Sequence, residues 1–83
     1  MTDNEIKLIE ERCNKATPGP WVSYIEGRDH ESGCDFIMTS GEDIELTGAT
    51  HDDQDFIAHA RQDIPALINE IYILKSEICK LKK

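Results

Sequence analysis

His51, Asp55 and His59 recur every fourth residue, so on a helix they share one face. Two side chains at that spacing can hold one metal ion, which needs donors converging within about 2.0–2.2 Å. The third lies too far along the axis to join them, and His30 and Cys34 would have to be brought in by the fold. Solvated histidines are the plainer expectation, and neither a metal nor another cofactor is expected. Cys13, Cys34 and Cys79 form no CxxC pair, and none sits in the paired arrangement with a base that marks a thiolate nucleophile. Asp52 and Asp53 belong to a general acidic run, and no glycine-rich phosphate loop is present. The chain offers no positioned acid, base and nucleophile, so it is not expected to be an enzyme.

Binding has better candidates. Residues 16–21 read ATPGPW, where Pro18 and Pro20 flank Gly19 and the only tryptophan follows at Trp21. Prolines restrict the backbone, so Thr17, Pro18, Gly19, Pro20 and Trp21 would lose little entropy on engaging a partner. An indole can stack on a nucleobase for about 1–3 kcal/mol. The other reading is a helix stop with a core aromatic behind it. Arg61 is the only base between Arg28 and Lys75. It suits either a fork for a phosphate or a structural ion pair with Asp63 or Asp55. Arg28, in a loop, is a weaker candidate.

Charge narrows the partners. The chain of 83 residues has a net charge of −8, and most of it falls in residues 17–50, with seven acids and one base. Duplex nucleic acid is held by Lys and Arg on phosphates, so it is not an expected partner. The acids are either solvated faces or a surface for a basic protein. An odd cysteine count argues against a disulfide framework and fits a reducing compartment. Without a signal peptide or a membrane-length apolar run, a soluble cytoplasmic protein with no membrane partner is expected.

These residues need elements to position them, and the pattern predicts a single α+β domain over 1–83, ordered α-β-β-β-α-α. Thr2 with Glu5 is a capping-box pair, and Ile6, Ile9, Cys13 and Ala16 make one apolar stripe, so a helix is expected over 1–16. The prolines end it. Residues 17–50 hold the motif loop and a small antiparallel meander of three strands, 21–25, 36–38 and 44–46, with a polar loop at 26–33. Residues 51–83 are expected as two helices. Thr50 and Asp53 cap the first, Phe56, Ile57 and Ala60 form its apolar face, and Pro65 breaks it and opens the second, with Asp63 or Ile64 near the N-cap.

The last helix carries the clearest pattern. Ile64, Leu67, Ile71, Leu74, Ile78 and Leu81 repeat at heptad spacing with Ile at each a position and Leu at each d, which favours a parallel two-stranded coil. Glu70 and Glu77 at g would face Lys75 and Lys82 at e on a partner. Ile68, Tyr72 and Ile73 widen the apolar surface beyond the seam. A homo-oligomer is expected, against the simpler reading of a helix packed on its own sheet.

ATPGPW at 16–21 together with DFIAHARQDIPALINEI at 55–71 resembles a group of small phage and prophage proteins. These carry an ATPGPW-like segment, a variable β region and an FIAxARxDxPAL-like segment leading into a C-terminal helix. The resemblance covers the two segments and not residues 22–50. It implies a bacteriophage accessory protein acting against host defence in the host cytoplasm. It points to a sponge for a nucleotide-derived immune signal, such as a cyclic nucleotide or an ADP-ribose derivative. By position, the motif residues are Thr17, Pro18, Gly19, Pro20, Trp21, Phe56, Arg61, Asp63 and Pro65. His51 and the acidic run 52–55 depart from the pattern and put an anionic ligand nearby in question. The alternatives are an acidic inhibitor of a host defence protein or nuclease, and a structural adaptor without a ligand.

Overall fold

The computed structural model describes residues 1–31 and 33–81. Helix α1 spans Asp3–Lys15, strand β1 Val22–Tyr24, strand β2 Phe36–Met38 and helix α2 His51–Leu81. Among the described residues the fold is α+β, with two helices and a two-stranded antiparallel sheet. Helix α1 opens on the expected capping box. The Thr2 hydroxyl accepts from the Glu5 amide at 3.2 Å, and the Glu5 carboxylate accepts from the Thr2 amide at 2.8 Å. The Thr2 amide, with help from the Thr2 hydroxyl, holds the Glu5 carboxyl below its ordinary range. The helix ends at Lys15 and Ala16 is already extended, and Pro18 and Pro20 follow, which could not continue the helix.

The sheet is smaller than the alternation predicts. Val22, Ser23 and Tyr24 pair with Met38, Ile37 and Phe36. The expected third strand reduces to one bridge, in which Ile37 and Ile44 exchange backbone hydrogen bonds of 2.8 and 2.9 Å. Pairing stops there because the chain turns at Thr47–Gly48, with Gly48 at φ 83°, to reach the start of α2. Two short strands are marginal alone. Here Ile37 is fully buried and Ser23 bonds to α2, while Tyr24 stacks on Phe36 at 5.2 Å with His30 against both rings.

Thr50 and Asp53 cap α2 reciprocally, each amide donating to the other's side chain at 3.1 and 3.0 Å. The two expected C-terminal helices are one. Helix α2 runs unbroken for 31 residues with Pro65 inside it, so Asp63 and Ile64 are interior helical positions and not caps. Proline removes one amide donor and crowds the carbonyl a turn earlier, at a cost of about 3 kcal/mol. Packing on both sides of the proline outweighs that cost. Gln54 and Ala58 are buried before it and Ile68 after it, and Pro65 itself lies half-buried beside Glu10, Cys13 and Asn14 of α1.

Helix α1 lies antiparallel along α2. Asp3 at its start pairs with Lys75, and Ala16 at its end lies near Ile57. The core is Ile6, Ile25, Ile37, Ala58 and Ile68, all on α1, the sheet region or the inner face of α2. The molecule measures 59 × 22 × 21 Å, elongated because α2 alone extends about 46 Å. No described helix is long and apolar enough to cross a membrane. Pro65→Ala restores the missing helical donor, so it is expected to raise stability by about 1–3 kcal/mol. Urea unfolding monitored by circular dichroism measures the change, with a small gain in helicity.

Candidate functional site

The ATPGPW segment is fastened to α2 by polar contacts. The Trp21 amide donates to Gln62 Oε1 at 2.7 Å, and Gln62 Nε2 donates to the Trp21 carbonyl at 3.0 Å. The Thr17 carbonyl accepts twice, from Trp21 Nε1 at 2.9 Å and Arg61 Nε at 3.0 Å. Ser40 Oγ donates to the Pro18 carbonyl at 3.0 Å. The Gly19–Pro20 peptide is cis. Gly19 passes close to α2, where an added Cβ would sit 3.4 Å from Gln62 Oε1 and 3.6 Å from Arg61 Cγ. Those are ordinary contact distances, so the approach is close without excluding a side chain.

Gln54 does for the sheet what Gln62 does for the loop. Buried on α2, it donates from Nε2 to Ser23 Oγ at 2.9 Å and to the carbonyls of Phe36 and Tyr24 at 3.0 and 3.3 Å. Gln54, Ala58 and Gln62 fall on one helix face, with the small Ala58 letting the backbones approach. Neither glutamine is among the residue types that mark a chemical site in the sequence. The available signal was an i, i+4, i+8 set of two amides about an alanine inside an acidic stretch.

Trp21 is half-buried and lines two clefts. One is open, about 490 Å3, and also lined by Ser23, Arg28, Asp55, His59 and Gln62. The other, about 260 Å3, is an apolar groove between α1 and α2, lined by Ile9, Cys13, Ala16, Ile57 and Ile64 beside Arg61. Of the other expected ligand-binding residues, Thr17, Pro18, Gly19, Pro20 and Asp63 are exposed and Arg61 is half-buried. The structure thus brings Thr17, Pro18, Gly19, Pro20, Trp21 and Arg61 together. The ion pair weighed for Arg61 forms with neither Asp63 nor Asp55: its Nε serves the Thr17 carbonyl, and Asp55 is taken by Arg28.

Arg28 forks onto Asp55 through two hydrogen bonds of 2.8 and 2.9 Å, and its Nε bonds Asp29 at 2.9 Å. The hydrogen bond from Arg28, with help from Ser23, holds the Asp55 carboxyl well below its ordinary range. Arg28 also lowers the Asp29 carboxyl, with help from the Ile25 amide. The pairing pushes the Arg28 guanidinium further up. His59 Nδ1 lies 2.9 Å from the Asp55 carbonyl, and His51 Nε2 pairs with Asp35 at 3.2 Å. Among the described residues no three His, Cys, Asp or Glu side chains converge to hold a metal.

The seam faces outward. Leu67, Leu74, Ile78 and Leu81 are 62, 49, 52 and 85% exposed, Ile64 is exposed and Ile71 half-buried. Ile68 instead turns into the α1 contact, and Tyr72 and Ile73 are only partly exposed, at 38 and 43%. Lys75, expected opposite a partner's Glu70, pairs with Asp3 of its own chain. An ammonium carries three donors, so that contact leaves room for a second acid. Lys82 lies outside the described residues. No family model matches this chain, and neither do the curated proteins or solved structures compared with it.

The Arg28 fork sets a pH dependence. Asp55 and Asp29 bind protons less readily folded than unfolded, so their contribution is full above the ordinary aspartate range and is lost as pH falls through the depressed values. Arg28→Gln is therefore expected to lower stability near neutral pH. Its deficit against the unmodified protein should shrink progressively below about pH 4. Urea titrations at stepped pH measure that difference.

Proposed function

We propose that the protein works without catalysis, as a homo-oligomer assembled through α2 that holds a target instead of converting it. The observation that carries this is the outward stripe of Leu67, Leu74, Ile78 and Leu81. Monomers rarely leave a contiguous apolar ridge in water. The stripe follows a coiled-coil repeat, so a second helix of the same kind is its natural cover. Leu74→Glu places a charge in the seam and should convert the assembly to monomers with little loss of helicity. Light scattering at micromolar concentration tests it, and a monomeric unmodified protein would sink the idea.

Two target classes fit a phage accessory role of the kind the sequence resemblance implies. A basic host protein is favoured by the charge, because residues 17–50 are strongly acidic and Arg28 is already matched by two carboxylates. A nucleotide-derived signal is the second reading. Its support is the open cleft beside Trp21, whose volume is within the usual range for small-molecule sites. Against it, Trp21 Nε1 and Arg61 Nε both already serve the Thr17 carbonyl. Calorimetry with cyclic dinucleotides and ADP-ribose derivatives decides. If the sponge reading holds, heat appears with the unmodified protein, falls with Trp21→Phe and vanishes with Trp21→Ala while the fold survives. Silence across the panel leaves the protein target.

A further inference from the structure

Because Pro65 does not end the helix, the heptad register extends backward through it. Ile57 falls at an a position and Ala60 at a d, in phase with Ile64 through Leu81. In the same register Phe56, Asp63, Glu70 and Glu77 are g residues, while Arg61, Ile68 and Lys75 are e residues. Helix α1 covers the e side, where Ile68 is buried, and leaves the g side open. Phe56 on that open side is 74% exposed, the most exposed aromatic ring among the described residues.

We infer that Phe56 of one copy seats in the apolar groove between α1 and α2 of a second copy, lined by Cys13, Ala16, Trp21, Ile57 and Ile64. The inference rests on the self-association proposed above and specifies its geometry. In a parallel pair each g residue faces the partner's e residue of the following heptad. The residue facing Phe56 is then the second copy's Arg61, which borders that groove. The contact is reciprocal, so one two-fold axis fills both grooves. An antiparallel pair would carry Phe56 to the far end of the partner helix, away from the groove. It would also set the acids Asp63, Glu70 and Glu77 against their own copies, and like charges in apposition oppose pairing. The parallel arrangement instead places Glu70 opposite Lys75. It buries an aromatic ring against apolar walls with a guanidinium at the rim, a favourable combination for an interface anchor.

Cys13 supplies the test, because it lines the groove. In a Cys34→Ser, Cys79→Ser background, Phe56→Cys leaves two thiols, at positions 56 and 13. Mild oxidation should give a covalent dimer whose peptide map shows position 56 of one copy joined to Cys13 of the other. Adding Cys13→Ser should abolish that link. In the unmodified background, Phe56→Ala should weaken association by about tenfold or more without loss of the monomer fold. The Trp21 emission change that accompanies association should disappear with it. If light scattering shows the dimer but oxidation joins only position 56 to position 56, or nothing, the seating of Phe56 is wrong and self-association stands. If the unmodified protein is a monomer at every concentration, both fall.

Discussion

The continuity of α2 through Pro65 is the constraint on which the rest depends, since α1, β1 and β2 all rest on that one helix. A break at the proline would leave two short helices, each needing its own buried face. The five buried apolar residues could not supply that. As one rigid rod, α2 buries Gln54 and Ala58 under the sheet at one end and Ile68 under α1 further along. The proline's cost falls on a segment braced on both sides. Continuity also settles the phase of every outward residue, so Phe56 near the start and Leu81 at the end belong to one register.

A small core is supplemented by polar fastening. The loop from Thr17 to Trp21 cannot form helix or sheet hydrogen bonds, yet its backbone groups near α2 need partners. Gln62 meets both backbone groups of Trp21, and Arg61 and the Trp21 indole share the Thr17 carbonyl. The segments 16–21 and 55–71, far apart in sequence, therefore touch. That contact is structural and does not need a ligand. The tryptophan beside constrained backbone is first a strut, and only its remaining surface is available for binding.

Electrostatics separates the two ends of the molecule. Around the sheet the acids dominate, and Arg28 is absorbed into a fork with Asp55 and a bond to Asp29. Toward the end of α2 the charges alternate in sign between the g and e flanks of the stripe. The acidic end and the apolar ridge with paired flanks are the features on which the proposed self-assembled protein binder rests.

What the sequence by itself determined is whatever short-range chemistry decides. Thr2 with Glu5 placed the start of α1, the prolines placed its end, Phe36–Met38 was legible as a strand, and the heptad spacing marked the outward face of α2. Those signals are local because a cap, a turn or a periodic face involves residues within a few positions of one another. Tertiary structure alone decided that Pro65 sits inside a helix, that Ile44 makes one bridge and no strand, and that Asp55 belongs to Arg28. It also assigned Gln54 and Gln62 their roles, Arg61 its carbonyl and Phe56 its place in the register. Most of these turn on a partner distant in sequence, and packing on both sides of a residue can outweigh a local preference of about 3 kcal/mol.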